Sequence, residues 1–449
     1  MKRIIDYFLL EWKDRVNRKP LLLRGARQVG KTHAARELGR QFQNFVEVNL
    51  ESNESARRII EQDLDPKRIV FQLSELLQAQ ILPGSTLLFL DEIQSSLNAI
   101  TLLRYFYEIM PDLHVIAAGS LLDFAIEQVG IPVGRVSSLF MYPLSFIEFL
   151  VAMGHKGWAK LIIENDINNQ LSEPLHEKLL TLTGEYIAIG GMPEAINEWI
   201  RTKTSRSCKI VHSDLIFNYQ QDFGKYAKKH QIRHLNILFD KAIDQVGRKF
   251  MFSRVGEYQK RELEPALELL EKAGLFHKVT RASGQGIPLG AQADLDNFKI
   301  IFLDVGLSSA LLKLDISYWF TDPIAALINK GEIVEAFVGQ EILTYSDPIT
   351  KESLFYWRRE SKNSQAEVDY LVQIQDKIVP IEVKAGRSKR IKSIQIFLDS
   401  HPNSLYGIRF SSDNYSSYQK INSYPLYSVA NPFIKKSESF AKAIYSLIE

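Results

Sequence analysis

The sequence predicts an α/β protein whose first third forms a parallel β-sheet flanked by helices. Strand-like apolar runs alternate with helical stretches there, at Leu21 to Arg24, Phe45 to Leu50, Thr86 to Leu90 and His114 to Ala118. A glycine-rich stretch follows the first run, and two carboxylates follow the third. Because the carboxyl ends of parallel strands meet at one edge of a sheet, we expect both segments to lie at that edge.

The glycine-rich stretch has the pattern G-x-x-x-x-G-K-[ST] and precedes a helical run from His33 to Arg40. Its glycines let the backbone curl so that the N–H groups face the phosphates of a nucleotide, and the dipole of the next helix adds positive charge. The ammonium of Lys31 would reach the β- and γ-phosphates, and the hydroxyl of Thr32 would ligate Mg²⁺. We therefore expect ATP and Mg²⁺ to bind to Gly25, Ala26, Arg27, Gln28, Val29, Gly30, Lys31 and Thr32.

Two carboxylates, Asp91 and Glu92, end the third apolar run. Asp91 is expected to hold Mg²⁺ through water, and Glu92 to polarise the water that attacks the γ-phosphate. A helix cap is the alternative for such a pair, but its position after the phosphate loop in an alternating pattern favours the site. Ser120 follows the fourth run, where its hydroxyl would sense the γ-phosphate; a plain turn is the alternative there.

An arginine, Arg135, follows Gly134 and precedes another strand-like run at Ser137 to Tyr142. An arginine in this position could reach the ATP of a neighbouring subunit and stabilise the charge of the transition state. This role predicts a homo-oligomer. A surface salt bridge is an equally good interpretation of Arg135.

The middle of the chain has apolar residues at helical spacing from 217 to 275, followed by a hairpin-like segment at 276–279 and 299–302. Two helices and a hairpin predict a winged helix. Arg254, Lys260 and Arg261 could contact phosphates, but glutamates along the same helices would repel DNA. We therefore favour a winged helix that packs against protein.

The last third predicts a helix from Glu332 to Tyr345 and then strands that carry charged side chains. Residues two apart in a strand share a face, so Glu382 and Lys384 project together. If the last two strands pair as a hairpin, Asp369 and Glu382 meet and share a divalent cation, while Lys384 orients a water. Glu335 would supply a further carboxylate from the helix.

The pattern formed by Asp369, Glu382 and Lys384 resembles the motif of proteins with the PD-(D/E)XK restriction-endonuclease fold. That resemblance implies a metal-dependent nuclease, and the basic residues near the last strand suit a phosphate backbone: Lys384, Arg387, Lys389, Arg390 and Lys392. A solvated hairpin with alternating charge is the alternative. The apolar run before Glu382 favours the site, because a buried carboxylate needs a partner.

Taken together, the motifs resemble a large family of prokaryotic AAA+ ATPases that carry a C-terminal domain of unknown function. The matching segments are Gly25 to Thr32, Leu90 to Gln94, Ala118 to Ser120, Gly134-Arg135, Pro143 to Phe149, Gly190 to Glu194 and Phe302 to Leu307. The resemblance implies an AAA+ core at residues 1–144 with a helical lid at 145–205. A helical linker and winged helix would follow at 206–322, and a nuclease-like domain at 323–449.

The composition sets further limits on function. The formal charge of +2 is too small to argue for nucleic acid by itself. The single cysteine, Cys208, excludes an internal disulfide and fits a cytoplasmic protein; we expect neither a signal peptide nor a membrane span. Two functions remain open. One is an ATP-regulated nuclease acting on DNA or RNA, with DNA favoured. The other is a nucleotide switch or remodelling ATPase whose nuclease-like domain only binds or oligomerises.

Overall fold

A computed structural model describes residues 1–359, 366–386, 391–434 and 437–449. These residues form two compact units. The first unit consists of Met1–Tyr142 together with Lys272–Gly274 and Asp347–Lys351. The second consists of Pro143–Glu271, Leu275–Ser346 and Glu352–Glu449. In the described ranges, no helix is both long enough and apolar enough to span a membrane.

The first unit alternates strands with helices, as the apolar runs predict. In chain order its elements are α1 (Ile4–Asp14), β1 (Leu21–Arg24), α2 (Lys31–Gly39), β2 (Asn44–Asn49), α3 (Glu54–Gln62), α4 (Pro66–Leu77), β3 (Thr86–Asp91), α5 (Leu97–Ile109), β4 (His114–Ala118), α6 (Leu122–Val129) and β5 (Ser137–Phe140). Local chemistry sets several helix starts: Asn53 caps α3, and Asp65 caps α4 just before its first residue, Pro66.

The strands of the first unit form one parallel sheet in the order β2-β3-β4-β1-β5. Every residue of β3 and β4 is buried, as expected for inner strands covered by helices on both faces. β4 lies between β1 and β3, so the segments after these three strands meet at one edge. The predicted parallel sheet is confirmed.

The second unit begins with helices and continues with a larger mixed sheet. Its helices are α7 (Phe146–Ala152), α8 (Lys156–Glu164), α9 (Glu173–Ile189), α10 (Pro193–Thr202), α11 (Ser205–Tyr226), α12 (Lys229–Ala242), α13 (Lys260–Lys272), α14 (Val305–Leu311), α15 (Tyr318–Thr321), α16 (Pro323–Asn329), α17 (Gly331–Thr344), α18 (Lys392–Ser400), α19 (Ala430–Ile434) and α20 (Glu438–Ile448). The last residue of α13 belongs to the first unit.

The strands of this unit are β6 (Phe276–Ala282), β7 (Ala293–Phe302), β8 (Leu354–Arg358), β9 (Glu367–Ile374), β10 (Lys377–Lys384), β11 (Gly407–Ser411), β12 (Ser416–Tyr418) and β13 (Ile421–Pro425). They form one sheet in the order β12-β13-β11-β10-β9-β8-β6-β7. β6 and β7 pair as the predicted hairpin, with Phe276 opposite Phe302. β6 also pairs in parallel with β8, so the strands of the predicted wing and those of the predicted nuclease-like domain belong to a single sheet.

Three segments that carry the family resemblance meet inside the second unit. The backbone N–H of Leu144 donates to the carbonyl of Gly191 at 2.7 Å, and the N–H of Gly191 donates to the carboxylate of Asp304 at 2.6 Å. A Cβ on Gly306 would lie 2.4 Å from the carbonyl oxygen of Ile189, so only glycine fits there. Asp304 is fully buried. These segments therefore fix the packing of α7, α9 and α14 rather than line an open site.

Helix α17 adds a second link within this unit. Glu341 on α17 is 1% exposed, and both of its carboxylate oxygens accept the backbone N–H of Phe146, at 2.9 and 3.2 Å. The hydroxyl of Tyr345 accepts the N–H of Ile147 at 3.3 Å. Burial raises the pKa of Glu341 to about 8. Side chains of α17 thus satisfy the otherwise unpaired N–H groups at the start of α7.

Candidate functional site

The predicted phosphate loop connects β1 to α2 at the edge of the parallel sheet where the strands end. Gly25 and Gly30 have φ angles of 144° and 102°, which glycine adopts without strain. A Cβ on Gly25 would lie 2.2 Å from the carbonyl oxygen of Met141, so a larger residue does not fit. Helix α2 begins directly after Gly30, which leaves its first N–H groups available to an anion.

Lys31 points into this loop. Its Nζ donates to the carbonyl oxygens of Gly25 and Ala26, at 2.8 and 2.7 Å, and the residue is 8% exposed. Burial lowers the pKa of Lys31 to about 8, although nearby Glu92 and Asp91 act in the opposite direction. A phosphate is a stronger partner for an ammonium than a carbonyl is, so a nucleotide would draw Lys31 towards itself.

Thr32 and Asp91 lie together beside the loop. The hydroxyl of Thr32 donates to a carboxylate oxygen of Asp91 at 3.2 Å, across 59 residues of sequence. Burial raises the pKa of Asp91, and the neighbouring Glu92 adds to that rise. A hydroxyl and a carboxylate are oxygen ligands of the kind that Mg²⁺ takes. This pair fits the predicted Mg²⁺ site, with Asp91 binding directly or through water.

Glu92 sits in a sharp turn after β3, with a φ of 49° that is uncommon for any residue except glycine. The side-chain amide of Gln94 donates to the carboxylate of Glu92 at 2.5 Å. A Cβ on Gly119 would lie 1.9 Å from the side-chain oxygen of Gln94, so Gly119 leaves room for that amide. Ser120 follows at the same edge of the sheet. Gln94 thus orients Glu92, a role that the sequence motifs did not reveal.

Arg135 precedes β5, which runs parallel to β1 with Ser137 opposite Leu21. It therefore lies at the edge where the strands begin, opposite to the phosphate loop of its own chain. Its Nε donates to Glu108 at 2.9 Å, and its side chain is 43% exposed. Within its own chain Arg135 makes the salt bridge that was the alternative interpretation, and its action on a neighbouring subunit stays a prediction.

In the second unit, β9 and β10 pair as the predicted hairpin. The ladder runs as far as Tyr370 opposite Ile381, and just beyond it a carboxylate oxygen of Asp369 accepts the backbone N–H of Val383 at 2.7 Å. Asp369 and Glu382 are the next residues after the last pair. The hairpin therefore brings these two carboxylates to the same end of the strand pair, as expected.

Lys299 on β7 occupies the centre of the acidic cluster. Its Nζ lies 2.9 Å from Glu335, 2.6 Å from Glu367 and 3.8 Å from Asp369, and its side chain is 2% exposed. Burial acts to lower the pKa of Lys299, but the charges of the three carboxylates outweigh it and raise the pKa above its usual value. Burial raises the pKa of Glu335 to about 8 and also raises that of Asp369, while Lys299 acts in the opposite direction on both.

Glu382 and Lys384 form a second ion pair beside this cluster. Nζ of Lys384 lies 2.5 Å from one carboxylate oxygen of Glu382. Burial raises the pKa of Glu382, and Lys384 partly offsets that rise. In the described residues, the other carboxylate oxygen of Glu382 is buried without a hydrogen-bond partner. Glu382 and Lys384 thus project together as expected, and their roles in binding a cation and orienting a water stay predictions.

These contacts do not fit a divalent cation held jointly by Glu335, Asp369 and Glu382. Glu335 already faces the ammonium of Lys299, and Glu382 faces that of Lys384. Across the ranges that the structure describes, no group of three or more His, Cys, Asp or Glu side chains is arranged to hold a metal ion.

Sequence reasoning missed Lys299. The available signal was a lysine directly before the apolar run Ile300 to Phe302, since a charge in a buried strand needs partners. Three of the basic residues predicted to suit a phosphate backbone, Arg387, Lys389 and Arg390, lie outside the described residues.

Comparisons with known proteins agree with the geometry of the first unit. Residues 17–150 match a family model described as an AAA domain. Residues 181–317 and 330–429 match models of two domains of unknown function, DUF8612 and DUF4143, whose descriptions assign no activity. No curated protein matches the chain.

A solved structure of a Walker-type ATPase from Pyrococcus abyssi is also similar to this chain. The match covers 69% of this chain and 95% of the other, at 16% sequence identity and a TM-score of 0.45. A score of that size does not by itself establish a shared fold. Residues 17–150 are thus assigned by their family model as an AAA domain, which two domains of unknown function follow.

Proposed function

We propose that the chain binds ATP with Mg²⁺ in its first unit and hydrolyses it. The observation that supports this most strongly is the meeting of Lys31, Thr32 and Asp91 at one edge of the parallel sheet, in a segment that matches an AAA domain. In this proposal Lys31 binds the β- and γ-phosphates, and Thr32 and Asp91 hold Mg²⁺. Glu92, oriented by Gln94, polarises the attacking water, and Ser120 senses the γ-phosphate.

ATP binding and hydrolysis by Lys31→Ala and Glu92→Gln variants test these roles. Lys31 neutralises phosphate charge in both the ground state and the transition state, so Lys31→Ala should abolish ATP binding. Glu92→Gln keeps the shape of the side chain but loses the base, so it should bind ATP normally and lose hydrolysis by about 10²-fold or more. Calorimetry with ATP and a phosphate-release assay measure the two quantities. Equal loss of binding in both variants would contradict the assigned roles.

The proposal extends to coupling between nucleotide state and the second unit. The chain passes between the two units five times, after Tyr142, Glu271, Gly274, Ser346 and Lys351. A change in the backbone of the first unit therefore has several covalent routes into the second. The second unit would engage nucleic acid, DNA in preference to RNA, and several copies of the chain would assemble so that Arg135 completes a neighbour's ATP site.

Two roles are proposed for the strands around Asp369, Glu382 and Lys384. One is cleavage of nucleic acid by a nuclease-like domain. The other is a non-catalytic module that binds partners under the control of ATP. The contacts of Lys299 with Glu335 and Asp369 favour the second role, because the first would need these carboxylates for a metal.

Incubation of the purified chain with linear DNA, circular DNA and RNA separates the two roles. Mg²⁺ or Mn²⁺ would be present throughout, with and without ATP. The non-catalytic role predicts intact nucleic acid under all conditions. Cleavage that disappears in Asp369→Asn, while this variant still hydrolyses ATP, would establish the nuclease instead.

A further inference from the structure

The acidic cluster of the second unit contains its own cation. Lys299 lies on β7, Glu335 on α17, and Glu367 and Asp369 on β9, so carboxylates from two elements converge on an ammonium from a third. The Lys299 side chain is 2% exposed, and its Nζ also lies 5.3 Å from the centre of the Tyr356 ring. A buried charge is costly unless it is paired, and here the ammonium is paired with three carboxylates.

An ammonium and a divalent cation compete for the same oxygens. An ammonium has three N–H donors, and that of Lys299 has close contacts with Glu335 and Glu367. Mg²⁺ would need oxygens at about 2.0–2.1 Å in octahedral geometry, including oxygens that Lys299 already contacts. Two cations that need the same carboxylate oxygens compete and repel each other, so the covalently attached ammonium opposes metal binding at the oxygens that it contacts.

We infer that the ammonium of Lys299 takes the position that a divalent cation would otherwise occupy, so that the acidic cluster is a metal-independent ionic link between β7, α17 and β9. The second carboxylate oxygen of Asp369 accepts the backbone N–H of Val383, and this hydrogen bond extends the link to β10. The inference does not depend on the ATPase proposal, since Lys299 and its partners all lie in the second unit. It explains why a strand that sequence reasoning assigned to a wing carries a buried lysine.

Mn²⁺ binding to the full chain without nucleotide tests this inference. The background is Thr32→Ala, which removes the hydroxyl ligand of the ATP site. The background protein and its Asp369→Asn derivative should bind the same amount of Mn²⁺, measured by the electron paramagnetic resonance signal of free Mn²⁺. Loss of one equivalent of Mn²⁺ in Asp369→Asn would overturn the inference.

Replacement of the lysine gives the converse result. Lys299→Met removes the ammonium and keeps the length of the side chain, so it should gain one Mn²⁺ site, and the added Asp369→Asn change should abolish it. Lys260→Met is the matched control, because Lys260 pairs with carboxylates at the surface and should gain nothing. A folded Lys299→Met protein without a new site would contradict the inference. If Lys299→Met does not fold, the comparison of the background with Asp369→Asn still decides the question.

Thermal unfolding provides a second readout of the same site. Without its cation the cluster holds repelling carboxylates, so Lys299→Met should melt at a lower temperature than the background protein. Mn²⁺ should raise the melting temperature of Lys299→Met and leave that of the background protein unchanged. Stabilisation of the background by Mn²⁺ that Asp369→Asn removes would again overturn the inference.

Discussion

Two buried lysines, Lys31 and Lys299, have pKa values that their surroundings shift in opposite directions. Burial dominates at Lys31 and lowers its pKa to about 8, since its hydrogen-bond acceptors are the carbonyls of its own loop. Three carboxylates outweigh burial at Lys299 and raise its pKa. Lys31 is therefore a cation that gains from binding an anion, whereas Lys299 already has its counter-charges.

This difference predicts that ATP binding weakens at alkaline pH. Phosphates favour the ammonium form of Lys31, so its pKa is higher with ATP bound than in the free protein. The affinity for ATP is therefore highest below the pKa of Lys31 in the ATP-free protein, which is about 8. It falls as the pH rises through that value, by up to about tenfold per pH unit. Calorimetry of the unsubstituted chain with a non-hydrolysable ATP analogue between pH ~6.5 and ~9.5 would measure this while the charge of Glu92 stays in place.

The control for this profile is Lys384→Met, which removes a partly exposed lysine of the second unit. It should show the same decline of ATP affinity with pH as its parent. A dissociation constant that stays level across this range would contradict the assignment of the low pKa to Lys31.

The ATP site and the acidic cluster differ in how far sequence predicts them. The phosphate loop is eight consecutive residues, and its geometry follows from local backbone rules, so the motif alone located Lys31 and Thr32. Lys299 contacts side chains 36 to 70 residues further along the chain. The register of β6, β7, β8 and β9 and the packing of α17 bring them together, and no local pattern specifies either.

Apolar runs in the sequence predicted the positions of the strands more reliably than the pairing of those strands in sheets. β1 and β4 begin and end as predicted, and the hairpin of β6 and β7 was expected from its apolar residues and glycines. The parallel pairing of β6 with β8 was not predicted, because it joins residues about 75 positions apart through several helices. The single large sheet of the second unit is therefore a feature that only the structure revealed.

Two glycines in helices, Gly306 and Gly157, should respond differently to replacement by alanine. Gly306 lies in α14 against the backbone of Ile189, whereas a Cβ on Gly157 in α8 would contact nothing within 4 Å. Gly306→Ala should destabilise the second unit by about 1–3 kcal/mol through overpacking. Gly157→Ala should leave it unchanged or stabilise it by about 0.5–1 kcal/mol. Urea unfolding of both variants would measure this, and equal effects would refute the packing role of α14.

At the scale of the whole molecule, the position of Arg135 predicts that subunits cooperate in hydrolysis. It lies at the edge of the sheet away from its own phosphate loop, so it can act only on another subunit's ATP. Arg135→Ala should lower turnover, on the order of 10³-fold, and leave ATP affinity unchanged. A mixture of Arg135→Ala and Glu92→Gln proteins should regain part of the activity, because some interfaces then combine an intact arginine with an intact glutamate.

The control is Glu108→Gln, which removes the carboxylate partner of Arg135 within the chain. It should keep turnover if the arginine acts on a neighbour. If Glu108→Gln loses as much activity as Arg135→Ala, and mixing restores none, Arg135 has only a structural role.

The central claim is that the nucleotide state of the first unit reaches the second. Hydrogen exchange of the Glu92→Gln variant with and without ATP tests it most directly, with Lys31→Ala as the variant that should not respond. We predict that ATP changes amide protection in the second unit, near its connections at Pro143, Leu275 and Glu352, as well as in the phosphate loop. Changes confined to Met1–Tyr142, Lys272–Gly274 and Asp347–Lys351 would contradict the claim.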